Sequence, residues 1–311
     1  MQDTREVTAR PTHPWVAEKS PRVRVGVKFI DPCADWTRYH ACAQVAEDLG
    51  YDSLWVPDHP MVAMDCWSIL TALAITTRRI RLGTLATCVY YRSPVMLARK
   101  AVDVDRLSGG RLILGIGIGD QPHEFEQLGL AFPGVSERQE MLEKVITSVQ
   151  KVWEQLPLGP VQQPHIPVLI AGGGERTLRQ VAQYADASNF GPHNDTGGVS
   201  QLEDVEHKGQ VLRTHCATIG RDPQSILQTH VTLPLVLGTS AEAIAAKQEA
   251  IPLPLRSKFT AGTLAVTPQE ALEYYRNLAK MGIHYFILGL WPGDVETMRL
   301  FSEHVMPFLS E

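Results

Sequence analysis

The 311-residue sequence lacks the features that mark several protein classes. It has no run of about eighteen apolar residues, which argues against a membrane-spanning helix, and its first two dozen residues lack the apolar stretch of a secretory signal. Its formal net charge of -5 gives no excess of basic residues, which argues against nucleic acid and anionic membrane surfaces as partners. We therefore expect a cytoplasmic protein that acts on a small molecule.

Cysteine is scarce and is not arranged for a metal or a disulfide framework. The five cysteines are odd in number and scattered, with no Cys-x-x-Cys or Cys/His spacing, as in a reduced cytosolic protein. The sequence also lacks a Gly-x-Ser-x-Gly motif, a Ser/His/Asp order and a carboxylate pair with glycosidase-like spacing. We expect no metal site, and hydrolase chemistry has no support.

What the sequence does contain is a regular alternation of strand and helix patterns. Apolar runs rich in branched residues predict strands at 23–29, 52–57, 80–88, 111–119, 167–171, 186–190, 228–236 and 283–290. Helical patterns lie between and after them, at 36–49, 65–77, 93–107, 135–154, 175–184, 199–217, 240–250 and 268–281. Eight such units predict an α/β fold of the (β/α)8 barrel type rather than an open sheet.

No linker divides the chain after its first residues. We expect a flexible N-terminal arm at 1–22 and a single barrel domain at 23–311. The segments 191–200 and 251–267 are longer and richer in glycine and proline than simple connections, so we predict that they are insertion loops over the site.

The most unusual strand is the predicted 111–119 segment, in which glycine occupies alternate positions. Because successive strand side chains point to opposite faces, Gly115, Gly117 and Gly119 leave one face bare, with room for something flat. The run resembles a dinucleotide-binding Gly-x-Gly-x-x-Gly motif only superficially. The glycines lie inside the strand and Asp120-Gln-Pro follows instead of a helix, so we reject a Rossmann fold.

The barrel rule directs attention to the residues that follow each strand, because active sites gather at the C-terminal ends of barrel strands. Asp58 and His59 follow the second strand, and an imidazole there can exchange a proton near neutral pH. Asp120 and Glu124 follow the fourth strand as a proton donor and its neighbour, or as a solvated turn. Trp291 follows the eighth.

The fifth strand ends in Gly172-Gly173-Gly174 and leads directly into a helix. Its backbone amides can cradle a phosphate at the helix N-terminus, with Arg176 adding positive charge. A tight turn that needs glycine for its backbone alone explains the triplet equally well.

Three blocks together resemble the bacterial luciferase-like family. They are Asp52-Ser-Leu-Trp-Val-Pro-Asp-His59, the run from Leu107 to Gly119, and Val168-Leu-Ile-Ala-Gly-Gly-Gly-Glu175 followed by Ala185-Asp186. Within that family, the chain is most similar to the branch that uses the deazaflavin coenzyme F420. The similarity extends from residue 23 to nearly the end of the chain.

The resemblance implies a (β/α)8 barrel that holds a flat ring at the strand mouths, and a non-prolyl cis peptide around Leu85-Ala86-Thr87 against which the ring packs. It implies that His59 and Asp120 act around the hydride-accepting carbon and the substrate. It places Asp58 near the polar edge of the ring and Gly173 and Gly174 near the phosphate tail. Further cofactor contacts are predicted at Gly117, Gly119, Gly172 and Arg176, and substrate contacts at Glu124 and Trp291.

Two features depart from the family pattern. The segment 155–166 is shorter than the hairpin that many relatives have there, and Asp120 stands where many have an aromatic residue.

The function that the resemblance implies is hydride transfer between coenzyme F420 and a carbonyl, alcohol, imine or activated alkene, with His59 or Asp120 handling the proton. Two alternatives remain open. The first is a monooxygenase that uses reduced FMN from a partner reductase, and the second is a non-catalytic flavin-binding protein. Family members are often homodimers, and we expect the same here.

Overall fold

A computed structural model describes residues 11–18, 23–30, 35–62, 64–191, 202–232, 234–253, 256 and 262–310. Their strands are β1 Arg24–Phe29, β2 Ser53–Val56, β3 Arg81–Thr84, β4 Thr87–Cys88, β5 Leu112–Gly117, β6 Val168–Ala171, β7 Ala187–Phe190, β8 Leu227–Thr232, β9 Leu235–Leu237, β10 Leu264–Val266 and β11 Tyr285–Leu290. Nine of these strands form one parallel sheet in the order β3-β2-β1-β11-β8-β7-β6-β5-β4, and pairing of β3 with β5 closes it. Because β3 and β4 are two halves of one position, the sheet is a closed barrel with eight strand positions, as predicted.

Helices surround the barrel. They are α1 Pro14–Ala17, α2 Trp36–Asp48, α3 Cys66–Thr76, α4 Pro94–Leu107, α5 Pro122–Gln127, α6 Val135–Gln155, α7 Glu175–Tyr184, α8 Leu202–Thr218, α9 Ala241–Ala250, α10 Pro268–Lys280 and α11 Val295–His304. The eight predicted helices are confirmed, with ends within three residues of the prediction, whereas α1, α5 and α11 were not predicted. In the part of the chain that the structure describes, no helix combines the length and apolar character needed to cross a membrane.

Local capping explains where two of these helices begin. Asp65 precedes α3 and accepts a hydrogen bond from the backbone N–H of Ser68 at 3.0 Å. Thr267 and Glu270 form a reciprocal capping box at the start of α10, with Pro268 at its first position. Each arrangement satisfies backbone N–H groups that a helix N-terminus leaves unpaired, so the sequence alone marks both boundaries.

The strands separate two layers of packing. On β1, Val25, Val27 and Phe29 pack outward in the large core between barrel and helices. The alternate residues Arg24, Gly26 and Lys28 therefore face the barrel interior. The inner core is small and includes Trp55, Ile113 and Ile287, among others.

The N-terminal end of the barrel is closed by residues that were predicted to be a flexible arm. Trp15 in α1 is 2% exposed, and its ring lies edge-on to Tyr285 at 5.8 Å between centroids. The Arg24 guanidinium lies over both rings, 5.6 Å from Trp15 and 5.1 Å from Tyr285. The arm prediction is therefore wrong for residues 11–18, because Trp15 gains burial against the open barrel end; residues 1–10 and 19–22 lie outside the described residues.

A cavity of about 440 Å³ lies at this same end, beside Glu18, Asp52 and Arg81. Glu18 binds both Arg24 and Arg81 at 3.0 Å, so these charges are paired with one another. We regard the cavity as part of the barrel closure.

The predicted insertion loops are only partly described. The structure shows that the 251–267 segment returns as β10, which pairs in parallel with β9 outside the barrel. The predicted strand 228–236 is correspondingly divided into β8 and β9. Of the 191–200 loop, only residue 191 is among the described residues.

Candidate active site

The third barrel strand is interrupted at the point where the site begins. The peptide bond between Leu85 and Ala86 is cis, within the segment for which the family resemblance implied one. Leu85 is buried in the inner core and Ala86 packs against it, so both line the interior wall near the mouth. Directly before the break, the carbonyl oxygen of Thr84 closely approaches β5.

Gly115 is required by this approach. A Cβ at Gly115 would lie 1.8 Å from the Thr84 oxygen, so the backbone of β3 occupies the space that a side chain would need. The Thr84 hydroxyl also donates to the Gly115 carbonyl at 2.6 Å. The absence of a side chain at Gly115 therefore allows the close packing of β3 and leaves no space for a ligand.

Gly117 is the glycine that leaves open space. A Cβ built there would meet only the Ala86 methyl group, at 3.4 Å. We call the open surface formed by Ala86 and Gly117 the slot, since a flat group can lie against both residues. Gly119 has another role, because β5 ends at Gly117 and Gly119 has a φ of 77°, which favours glycine. The prediction of three equivalent glycines is therefore wrong, and the bare face is narrower than the sequence suggested.

Asp58 holds the second half of the broken strand. Its side chain is fully buried, and Arg92 binds it through two contacts of 2.6 and 3.1 Å. The Thr87 hydroxyl donates to the same carboxylate at 2.7 Å, and the Cys88 N–H donates at 3.4 Å. With these contacts, Asp58 and the Thr87 side chain face each other rather than the mouth. The predicted cofactor contacts of these two side chains need correction: they anchor β4.

The contacts of Arg92 also account for a nearby cluster of side chains of the kinds that bind metal ions. Ligand atoms of Asp58, Asp65 and Cys66 lie within 4.8 Å of one another. Arg92 contacts both carboxylates, since it also binds Asp65 at 2.5 Å, and it supplies the positive charge that this cluster needs. Burial and the neighbouring Asp58 carboxylate raise the pKa of the Cys66 thiol, which disfavours a thiolate ligand.

His59 lies at the mouth and is held by a buried carboxylate. Its Nδ1 is 2.9 Å from one oxygen of Glu124 and 3.1 Å from the other. The Tyr91 hydroxyl donates to Glu124 at 2.9 Å. The side chain of Glu124 is 2% exposed and that of His59 is 37% exposed, so only the imidazole reaches the solvent. The carboxylate directs the Nδ1 proton of His59 toward itself and leaves Nε2 free for a ligand.

Glu124 is therefore a positioning residue, and its predicted substrate contact needs correction. Burial raises the pKa of Glu124, but the hydrogen bond and charge of His59, the hydroxyl of Tyr91 and the charge of His123 outweigh it. The net effect is a pKa below the usual value. The ionised form is thus favoured at neutral pH, as the contact with His59 requires.

We expect Glu124→Gln to lower stability by about 1–2 kcal/mol at pH 7, because hydrogen bonds to a charged group are lost. The native pKa of Glu124 is depressed, so its contribution is present above the unfolded pKa of 4.5 and is lost as the pH falls through the native value. Urea unfolding at pH 7 and pH 3 checks this. The matched control is Glu126→Gln, an exposed residue of the same helix. An equal effect at both pH values would contradict the assignment.

Asp120 is exposed at the end of β5, and its charge acts on Lys28. Lys28 is a residue that the sequence analysis missed. It faces the barrel interior beside Trp55 of β2 and Gly289 of β11 in the strand register. Burial lowers the pKa of Lys28 from 10.5 to about 8, and Asp120 partly opposes the shift. The signal in the sequence was a lysine next to the C-terminal end of a largely apolar strand, four residues after Arg24.

The turn at 172–174, for which a phosphate site was predicted, contains a glycine with positive φ and has a lysine beside it. Gly172 has a φ of 123°, and Gly174 begins α7 with no side-chain cap. Arg176 binds Ser136 at 2.8 Å and lies 3.6 Å from Glu140, so it contacts α6, and its cofactor contact stays a prediction. Lys208 of α8 instead reaches the turn and donates to the Gly173 carbonyl at 2.7 Å.

Trp291 directly follows β11, as predicted, and is largely buried. The mouth therefore brings together the slot, His59, Asp120, Lys28 and the turn at 172–174, while Asp58, Glu124 and Arg176 support it from behind or from the side.

A closed parallel barrel whose third strand is broken beside a polar mouth is a (β/α)8 barrel with a candidate active site at the C-terminal ends of its strands. The model of the luciferase-like monooxygenase family matches residues 11–285, and the chain belongs to this family. A curated relative, the 5,10-methylenetetrahydromethanopterin reductase of Archaeoglobus fulgidus, is 23% identical over 92% of this chain and all of its own length.

Two solved structures share the fold. An F420-dependent secondary alcohol dehydrogenase with an F420-acetone adduct aligns with a TM-score of 0.75 and 17% identity, over 92% of this chain and 99% of its own. The oxygenating constituent of 3,6-diketocamphane monooxygenase from the CAM plasmid of Pseudomonas putida, a complex with FMN, gives a TM-score of 0.71 and 15% identity, over 92% and 98%. At these identities, the likeness establishes the fold only.

Proposed function

We propose that the protein transfers a hydride between coenzyme F420 and a small organic substrate. The observation that carries the proposal is the slot, whose wall is formed by Leu85 and Ala86 and whose floor is bare at Gly117. A planar tricyclic ring fits such a space better than a branched ligand. When bound, the deazaflavin carries the hydride, and the protein orients the partners and manages the proton.

The mouth also fits the rest of such a cofactor. The backbone N–H groups at the start of α7 face the turn at 172–174, and Lys208 supplies a cation there, which suits a phosphate tail. His59 is oriented by a buried carboxylate, with Nε2 available to exchange a proton, and Asp120 lies at the same edge. These features favour a working enzyme over a non-catalytic binding protein.

Relatives support F420 without excluding FMN. The alcohol dehydrogenase, an F420-dependent enzyme, favours F420, whereas the complex of 3,6-diketocamphane monooxygenase contains FMN. The second candidate is therefore an FMN-dependent monooxygenase.

Titration of the purified protein with F420 and with FMN, followed by cofactor fluorescence, separates the two. We expect F420 to bind at least tenfold more tightly than FMN, and turnover to be independent of oxygen. Tighter FMN binding together with oxygen-dependent turnover would reject the proposal in favour of the monooxygenase.

A further inference from the structure

Lys28 is the charged side chain inside the barrel mouth that the roles assigned above leave unused. Strand alternation on β1 directs it inward, because Val27 and Phe29 on either side belong to the outer core. In the strand register its neighbours are Trp55 and Gly289, neither of which carries a charge. Gly289 itself contributes no side chain beside the lysine.

The position of Lys28 relative to the slot decides what it can contact. In the strand order, β1 lies two positions from the β3–β4 position and three from β5, so Lys28 faces the slot from the other side of the mouth. A ring packed against Ala86 and Gly117 presents its open face to this side. The group nearest to Lys28 is then the substrate rather than the wall-side face of the cofactor.

The charge environment also suits a substrate contact. Among the described residues, Asp120 is the charged group that acts on Lys28, and no hydrogen bond or ion pair connects the two side chains. Within the described part of the chain, the Lys28 ammonium group thus has no bonded partner, and burying such a group is costly, so it favours a ligand that supplies an oxygen. Burial lowers the pKa of Lys28 to about 8, so both protonation states are accessible near neutral pH.

We propose that Lys28 binds the reacting oxygen of the substrate and exchanges its proton, which makes the protein an oxidoreductase for carbonyl and alcohol groups rather than for iminium ions. This inference rests on the proposed hydride transfer. A positively charged iminium ion would be repelled by the ammonium group, whereas a carbonyl oxygen gains negative charge as it is reduced and is stabilised by it.

The step balances for carbonyl reduction. Reduced F420 would give a hydride to the carbonyl carbon, the C–O π bond breaks, and its oxygen takes the proton from Lys28, leaving an alcohol and a neutral amine. The cofactor becomes oxidised F420 by releasing its remaining ring proton to solvent. The amine then regains a proton from solvent through the mouth, where Asp120 lies. The reverse sequence oxidises an alcohol, with the neutral amine taking the hydroxyl proton.

The experiment uses the full-length protein loaded with F420 and three variants. Lys28→Met removes the ammonium group, Lys28→Arg keeps the charge but holds its proton, and Lys151→Met is the matched control, because Lys151 is exposed on α6. The probes are cyclohexanone and the cationic N-methyl-3,4-dihydroisoquinolinium ion, each with reduced F420. Binding of F420 is measured for every variant.

We expect Lys28→Met and Lys28→Arg to lower kcat/KM for cyclohexanone at least 100-fold, while F420 affinity stays within threefold and Lys151→Met behaves as the wild type. In the wild type, kcat/KM for reduction falls as the pH rises through about 8, because the proton is lost. Two results would overturn the inference. In the first, Lys28→Met turns over cyclohexanone at a rate within threefold of the wild type. In the second, the wild-type protein reduces the iminium ion but not cyclohexanone.

A second measurement does not depend on turnover. NMR of protein labelled at lysine Cε, with Lys28→Arg to assign the signal, follows the ionisation of Lys28 directly. We expect cyclohexanone to shift the Lys28 signal in the F420-loaded protein. If cyclohexanone neither shifts this signal nor is turned over, the proposed role of Lys28 is rejected. If F420 fails to bind, the proposed function fails, and the same titration in the FMN-loaded protein judges Lys28 separately.

Discussion

Replacing Gly115 with alanine should destabilise the barrel by about 3 kcal/mol or more, the upper range for inserting an atom into a packed interior. The added Cβ would lie 1.8 Å from the carbonyl oxygen of Thr84. That atom is backbone in a barrel strand, so it cannot move aside as a flexible side chain does. The hydrogen bond from the Thr84 hydroxyl to the Gly115 carbonyl fixes the two strands at this distance.

Gly117→Ala is the matched control, two residues along the same inner face. Its Cβ would be in ordinary contact with Ala86 at 3.4 Å, so we expect a change in stability within about 1 kcal/mol. The methyl group would enter the slot, however, and F420 affinity should fall at least tenfold. Denaturant unfolding and cofactor titration of both variants check the pair.

The two variants thus separate a structural glycine from a glycine that leaves room for a ligand. If Gly115→Ala unfolded like the wild type, the close approach of β3 and β5 would be wrong. Unchanged F420 affinity in Gly117→Ala would show that the ring does not occupy the slot.

The second large effect is expected for Arg92→Met, which leaves the fully buried carboxylate of Asp58 without its cation. Breaking a buried ion pair from one side costs about 3–5 kcal/mol. The destabilisation should extend to the candidate active site, because Asp58 also accepts hydrogen bonds from the Thr87 hydroxyl and the Cys88 N–H of β4.

A double-mutant cycle tests this interpretation. Asp58→Asn with Arg92→Met removes both charges and should recover part of the stability lost in Arg92→Met alone. Asp65→Asn is the control. Because the Asp65 side chain is 37% exposed, this substitution should lower the free energy of unfolding by about 1 kcal/mol or less. If the double variant were no more stable than Arg92→Met, an unpaired Asp58 would not be the cause.

The order and type of the elements could be predicted because each depends on local pattern. Branched apolar runs specify the strands, and caps such as Asp65 and Thr267 specify where helices begin. The terminal segment was misjudged because Trp15 is buried by the end of a barrel made from distant strands, which no local pattern reveals. The helix α5 was missed because six residues carry too little periodicity.

At the site, the sequence indicated His59 and the glycine-rich strand but not the partners that define their roles. Glu124 was predicted as a ligand contact, and only the fold shows that it is buried under His59 and Tyr91. Only the fold shows that Arg176 contacts α6 and that Lys208 contacts the turn at 172–174, since the direction of a long side chain depends on the neighbouring helices.

The sequence by itself determined the barrel, its family and the edge at which the site lies, because strand alternation and connection rules fix which end of each strand carries the polar residues. Only the tertiary structure decided that Gly117 has open space beside it while Gly115 is in close contact with β3. It also decided that Asp58 anchors β4 and that Glu124 orients His59. It alone revealed that Lys28 faces the mouth. These distinctions depend on contacts between strands far apart in the chain, where burial and charge are set by neighbours that the linear sequence does not name.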